Sequence, residues 1–257
     1  MSKRALLVVS FGTSHEDTRQ STIGAVEQQL QGAFAGWQME RAYTSPPIRR
    51  ILAGRGQPVP SPEEALDALA AQGVEQVLVQ PTHLICGEEY HKLLRCVGKR
   101  AAAFRRVTVG KPLLCEPADY QQVAELVAAW LPAAPGEALV LMGHGTPHPM
   151  NAAYPAMDSV FRNLGHDHVF VGTVEGWPSG ADILHRVRKA GYGSVLLAPL
   201  MLVAGDHAKN DMAGAEGSWK SLFEQAGLGV RCRLQGLGEC PGVQQMYVQH
   251  ALKALEE

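Results

Sequence analysis

Short, almost purely apolar runs alternate along the chain with longer stretches in which apolar residues recur every three or four positions. The first pattern suits a strand buried on both faces, the second a helix with one buried face. Residues 5–9 (Ala5, Leu6, Leu7, Val8, Val9) form the first strand. Thr13 and Ser14 stand three residues ahead of Glu16 and Asp17, a capping-box pattern opening a helix with Ile23, Val26, Leu30 and Phe34 on one face. A second strand is predicted over 38–43, followed by Ser45-Pro46-Pro47, which suits an N-cap with proline in the first turn. After a loop over 54–60, Ser61-Pro62-Glu63-Glu64 caps a helix that Gly73 ends, and 76–80 is the third strand. Helix 88–103, strand 107–109 and an amphipathic helix 117–131 follow. Then the order repeats: strand 138–142, helix 152–163, strand 169–174, helix 182–190, strand 195–199, a polar glycine-rich connection, helix 219–226, strand 230–234 and a terminal helix from about residue 242.

Strands alternating with helices predict parallel sheets covered on both faces. The repetition extends to individual residues. Ala5-Leu6-Leu7-Val8-Val9-Ser10-Phe11-Gly12-Thr13 returns as Ala138-Leu139-Val140-Leu141-Met142-Gly143-His144-Gly145-Thr146, a shift of 133 residues that puts His144 where the first copy has Phe11. Val77-Leu78-Val79-Gln80-Pro81 with Gly87-Glu88-Glu89 matches Val195-Leu196-Leu197-Ala198-Pro199 with Gly205-Asp206-His207, a shift of 118 residues that sets Glu89 opposite His207. A weaker echo pairs Tyr43-Thr44-Ser45-Pro46 with Gly172-Thr173-Val174-Glu175, shifted by 129. Pro132-Ala133-Ala134-Pro135-Gly136 has the composition of a linker. The expectation is an α/β protein of two similar doubly wound domains, residues 1–134 and 135–257, each with a parallel sheet of about four strands flanked by helices, and with a terminal helix free to pack back on the first domain. With 257 residues, 46% of them hydrophobic, the chain supplies enough apolar surface for two modest cores.

In open α/β sheets, ligands bind beyond the carboxyl ends of the strands. His144, Glu175 and His207 each follow a predicted strand of the second half, at intervals of 31 and 32 residues, so the topology brings them to one crevice. Two imidazoles and a carboxylate suit a divalent first-row metal with positions left open for water or substrate. Neutral imidazole is the binding form, so metal loading should fall as pH drops through roughly 6.5. Singly, each residue has a plainer reading: a hydrogen-bonded histidine at a strand end, or a carboxylate serving a helix N-terminus. Their coincidence at matched strand ends carries the metal reading.

The other histidines carry less. His148 lies four residues after His144, but Gly145 and Pro147 argue against the helix that would pair them, so His148 reads as a rim residue. His166 and His168 precede a strand, which places them in an exposed loop at the opposite end of the sheet. His83 and His91 flank the Glu89 segment and are candidates for the crevice wall, with His91 early enough in a helix to face solvent instead. Glu88 and Glu89 suit a helix N-terminus whatever their function, yet the repeat gives Glu89 a catalytic candidacy opposite His207.

Composition narrows the partners. A formal net charge of −2 gives no global field to draw in nucleic acid or an anionic membrane. After Lys3 and Arg4 the apolar run stops at Val9, too short for a signal segment or a membrane span, and the expectation is a cytoplasmic protein. The five cysteines never fall in C-x-x-C spacing, which argues against both a disulfide framework and a thiolate zinc site. No Walker or dinucleotide fingerprint is present. Leu126, Val127 and Trp130 read equally as core or as interface, leaving a homo-oligomer open.

The motifs Met142-Gly143-His144-Gly145-Thr146, Gly172-Thr173-Val174-Glu175-Gly176 and Gly205-Asp206-His207-Ala208-Lys209-Asn210-Asp211-Met212, with Ser10-Phe11-Gly12-Thr13 and Gly87-Glu88-Glu89-Tyr90, resemble those of the anaerobic sirohydrochlorin cobaltochelatases of cobalamin synthesis. These are class II chelatases related to ferrochelatase, and the resemblance covers the whole chain. It implies a chelatase-like fold with a tetrapyrrole held in a cleft between the halves, and a lyase-type enzyme that inserts Co2+ into sirohydrochlorin with loss of two pyrrole protons. By position it implies His144 as proton acceptor and ligand, with Glu175 and His207 completing the metal site. Glu89 would assist from across the cleft. No permanent cofactor is expected: Co2+ is the substrate metal, with Fe2+, Ni2+ or Zn2+ as substitutes in vitro. The substrate's carboxylates need donors, for which strand-end backbone N–H groups, Ser10, Thr13 and Thr146 are available, with Phe11 in the same turn as Ser10 and Thr13. Iron insertion, giving sirohaem, is a close alternative. Two histidines and a carboxylate also suit a zinc hydrolase, although no H-E-x-x-H is present; a serine hydrolase lacks its G-x-S-x-G; and a non-catalytic metal carrier or tetrapyrrole-binding module would use the same ligands.

Overall fold

The computed structural model describes residues 3–256. Strand β1 (Arg4–Ser10) leads through α1 (Glu16–Arg19), a π-helical turn (Gln20–Gly24) and α2 (Ala25–Ala33) to β2 (Gln38–Tyr43). Helices α3 (Pro46–Gly54) and α4 (Pro62–Ala71) precede β3 (Gln76–Pro81), and α5 (Glu88–Arg100) precedes β4 (Arg106–Val109). These strands form a four-stranded parallel sheet in the order β2-β1-β3-β4. After α6 (Pro117–Trp130), the chain repeats the pattern with β5 (Glu137–Gly143), α7 (Ala153–Asn163), β6 (Val169–Thr173), α8 (Gly180–Lys189), β7 (Ser194–Pro199), α9 (Trp219–Gln225) and β8 (Gly229–Cys232). The second sheet is again parallel, in the equivalent order β6-β5-β7-β8. Helix α10 (Pro241–Glu256) closes the chain.

Two compact units result: Met1–Cys115 with Pro241–Glu257, and Glu116–Cys240. The division expected at 134/135 therefore shifts. Helix α6 belongs to the second unit because it lies against α7, while α10 returns to the first, against α2 and β3. An amphipathic pattern shows that a helix covers something but not which sheet it covers. Within α6, Val127 is fully buried, and the half-buried Trp130 lies under the Arg233 guanidinium, 5.1 Å from the ring centre.

In the first unit Leu7, Val9, Val77 and Val79 pack with Leu66 and Leu69 of α4 and Leu93 and Val97 of α5. In the second, Val140, Met142, Val195 and Leu197 pack with Ile183 and Val187 of α8 and Trp219 and Phe223 of α9. Each such side chain contributes about 1.5–3 kcal/mol through burial. A buried polar clamp joins three elements of the second unit: Asp158 of α7 accepts two hydrogen bonds from Arg186 of α8, at 2.9 and 2.8 Å, and one from the Val171 amide of β6 at 3.0 Å. Ser61 caps α4 as its sequence predicts, exchanging hydrogen bonds with Glu64 at 2.6 and 3.2 Å. The first helix departs from expectation. Its N-cap is His15, whose side chain makes no capping bond to the helix, and the Thr13 hydroxyl instead accepts from the His15 amide at 3.2 Å, closing the turn ahead of the helix. Among the described residues, no helix is long and apolar enough to cross a membrane.

Candidate metal centre

Three strand ends of the second unit build the centre. Beyond the last residues of β5 and β6 the pairing continues for two more hydrogen bonds, Val174 N to Gly143 O at 3.0 Å and Glu175 N to His144 O at 2.8 Å. The ladder itself therefore sets His144 beside Glu175. On the other side of β5, Leu200 N donates to Met142 O at 2.8 Å, which guides the chain after β7 toward Gly205 and the π-helical turn His207–Met212.

The tight geometry explains the glycines around His144. Gly145 has φ +83°, and a Cβ there would lie 2.6 Å from the Gly176 amide nitrogen, so the turn accepts no side chain. A Cβ on Gly143 would lie 2.2 Å from a Tyr154 ring carbon. Burial pushes the Tyr154 phenol up, while the backbone amides of Gly145 and His144 pull it the other way, so this ring supports the turn from beneath. Asn151 ties the two loops together: its Oδ1 accepts from the Thr146 amide at 3.1 Å and its Nδ2 donates to Trp177 O at 2.6 Å.

His144, Glu175 and His207 offer ligand atoms that all lie within 4.8 Å of one another. The two imidazole centres are 4.5 Å apart with their planes at 85°. Metal bonds of about 2.0–2.2 Å need only small side-chain rotations from this arrangement. Tautomers follow from the acceptors. His144 Nδ1 faces Gly145 O at 2.9 Å and His207 Nδ1 faces Asp211 Oδ2 at 2.7 Å. A carbonyl and a carboxylate can only accept, so each Nδ1 carries the proton and each Nε2 keeps its lone pair for a metal. The side chains of His144, Glu175 and His207 remain 43%, 55% and 35% exposed, so an ion can reach them.

Asp211 and Asn151 were not singled out from the sequence. His207 and Asp211 are four residues apart inside one glycine-flanked motif, and that helical spacing is the signal that would have found the pair. The remaining expected residues fall out unevenly. Glu89 is the second residue of α5, half-buried, with Lys92 at 2.9 Å. Phe11 is 49% exposed, and Thr146 is half-buried with its hydroxyl accepting from the His148 amide at 3.1 Å. Ser10 and Thr13 are both buried, Ser10 Oγ accepting from the Thr82 hydroxyl at 2.7 Å and Thr13 Oγ1 from the His15 amide at 3.2 Å, and in these bonds each acts only as acceptor. His148 caps a 3-10 turn through the Met150 amide. His166 and His168 lie at the far end as expected, but half-buried rather than free in a loop, with His166 Nε2 3.3 Å from Glu125.

The fold and this donor set define an α/β metal-handling protein of the chelatase type. Its architecture matches that of SirB from Bacillus subtilis solved with Fe3+, with a TM-score of 0.64 at 14% identity, covering 98% of this chain and 95% of that one. The chain belongs to the cobalt chelatase (CbiK) family, whose model matches residues 4–256. It is 42% identical to the sirohydrochlorin cobaltochelatase of Salmonella typhimurium, over 98% of this chain and 97% of that protein. It is 35% identical to the sirohydrochlorin cobaltochelatase CbiKC of Nitratidesulfovibrio vulgaris, over 100% of this chain and 93% of that protein.

Proposed function

We propose that this chain is a sirohydrochlorin cobaltochelatase, a lyase-type enzyme that inserts Co2+ into metal-free sirohydrochlorin for cobalamin synthesis. The observation that carries the residue assignment is the convergence of His144, Glu175 and His207, from three separate strand ends, on a point their ligand atoms can share. The Nε2 atoms of the two imidazoles and one Glu175 oxygen hold the incoming cation, with its other positions open to ring nitrogens.

Insertion exchanges two pyrrole protons for one divalent cation. Each pyrrole nitrogen keeps the electron pair of its N–H bond and uses it to bind cobalt, so two bases must take the protons. As cobalt passes to the ring, the His144 lone pair that held it is freed and accepts one proton. Glu89, at the equivalent strand-end position of the first unit, accepts another. Burial pushes the Glu89 carboxyl up, but its ion pair with Lys92 and the nearby Thr44 hydroxyl outweigh burial and leave it below the ordinary carboxylate range, so it is ionised and able to accept. Phe11 and Thr146 supply substrate contacts.

Partial exposure of the ligands suits a site that must release its ion, since tight retention would oppose delivery. Donor chemistry alone does not select cobalt, because first-row affinities favour nickel, copper and zinc. Ni2+ and Zn2+ are therefore expected to enter in vitro, and Fe2+, which the same donors bind somewhat more weakly than Co2+, is expected to enter as well. The exchange involves no redox change, so no permanent cofactor is required. A hydrolase using the same ligands is not favoured, given family membership over residues 4–256. None of the five cysteines is in a disulfide, and the compartment proposed for the enzyme is the cytoplasm. An anaerobic absorbance time course with sirohydrochlorin and Co2+ tests the proposal. The wild type should accelerate insertion, with His144→Ala and His207→Ala much slower; equal rates in all three would overturn the assignment.

A further inference from the structure

His83 lies two residues beyond β3, and its backbone is held from two sides: its carbonyl accepts from the Leu113 amide at 3.0 Å and from the Tyr247 hydroxyl of α10 at 3.3 Å. The residue keeps some surface, but both ring nitrogens are shut off from solvent and neither has a hydrogen-bond partner. A neutral imidazole offers one N–H donor and one lone pair, and folded proteins rarely leave both idle in the interior. Burial lowers the His83 pKa from 6.5 to about 4, with only the Glu89 charge pulling the other way, so the ring stays neutral near pH 7.

The charge acting on His83 belongs to a group with an assigned task. Glu89 sits in the first turn of α5, where its carboxylate is turned to Lys92 at 2.9 Å and the Thr44 hydroxyl approaches it without completing a hydrogen bond of its own. Its neighbour Glu88 is occupied by Lys92 at 3.8 Å and Arg95 at 3.6 Å. Of the groups around Glu89, Lys92 is 55% exposed and flexible, whereas His83 is fixed and dry. A donor that must aim a carboxylate works best when it is immobile and needs no desolvation.

We propose that His83 is a positioning residue for metal insertion: its buried N–H takes the Glu89 carboxylate from Lys92 when substrate engages and aims it at the pyrrole proton. The inference rests on the reading of Glu89 given above. In the step itself, the pyrrole proton moves to a Glu89 oxygen, the pyrrole nitrogen keeps the bonding pair for the metal, and His83 retains its own proton throughout. Hydrogen bonds to catalytic groups that are loose in the free protein and tighten with substrate are a general feature of such sites.

The test is a double-mutant cycle on the full chain, reading kcat, KM for sirohydrochlorin and Co2+ affinity for wild type, His83→Leu, His83→Gln, Glu89→Gln and the double variant His83→Leu/Glu89→Gln. His83→Leu should lower kcat about tenfold and leave KM and Co2+ affinity within about twofold, as expected for losing one hydrogen bond to a charged group. His83→Gln, which keeps an N–H donor, should recover most of the rate. In the Glu89→Gln background, His83→Leu should cost less than about twofold. Circular-dichroism melts check that each variant is folded; if the leucine variant is not, His83→Asn, whose amide is shorter, takes its place in the cycle. An unchanged kcat in His83→Leu, or the same loss with and without Glu89, overturns the role of His83. A wild-type rate for Glu89→Gln is a different failure, removing the proton-acceptor reading of Glu89 and the inference with it.

Discussion

The buried imidazole of His83 makes a stability prediction that does not involve catalysis. In the folded chain its pKa is lowered from 6.5 to about 4 by burial. In the unfolded chain it returns to the ordinary histidine value, so between those two pH values the unfolded state binds the extra proton. Stability contributed by neutral His83 is therefore fully present above about pH 6.5 and is lost as pH falls toward 4. Going from pH 7.5 to 4.5, the linkage amounts to about 2.5 kcal/mol, or a fall in Tm of roughly 5–10 °C for a chain of this size. Other groups titrate over the same range, so the informative quantity is the difference between wild type and His83→Gln, which has no proton to gain. Scanning calorimetry at both pH values should show the wild type losing about 2.5 kcal/mol more than the variant. Equal losses would refute a dry, neutral His83, and with it the packing described around Tyr247 and Leu113.

Three further outcomes follow from the second unit. Asp211→Ala removes the 2.7 Å partner that fixes the His207 tautomer, and Co2+ affinity measured by titration calorimetry should fall about tenfold, the low end for such partners because Asp211 is 46% exposed. Gly145→Ala forces a side chain into a φ +83° turn and against the Gly176 amide, so it should cost about 1–3 kcal/mol in denaturant unfolding and abolish the joint action of His144 and Glu175 in Co2+ binding. Asp158→Asn breaks the buried clamp to Arg186 and should destabilise by about 2 kcal/mol, less than a fully enclosed pair because Arg186 is 29% exposed. Cobalt affinity in Asp158→Asn should stay near that of the wild type.

Much of the fold is visible in the sequence because β1 and β5 are buried along almost their whole length, and such strands must be written as unbroken apolar runs. The metal trio is visible for a related reason: parallel strands deliver their carboxyl ends to one edge, so His144 and Glu175, just past β5 and β6, meet His207 of the connection that follows β7 however far apart they are in sequence. What escaped depends on direction rather than period. The sequence of α6 is amphipathic in either unit, and only its packing on α7 assigns it to the second. The bonds that Ser10 and Thr13 accept from Thr82 and His15 were not legible either, because strand pairing and turn closure supply those partners. The pairing of Asp211 with His207 is implied by their four-residue spacing only once the segment between them is known to be helical.

The central claim is that two imidazoles and one carboxylate hold the substrate cation, and X-ray absorption of the Co2+-loaded protein examines it most directly. The account predicts two imidazole ligands with a carboxylate oxygen in the wild type, and a single imidazole in His207→Ala with weakened binding. A cobalt environment without two imidazoles, or one unchanged by removing His207, would contradict it.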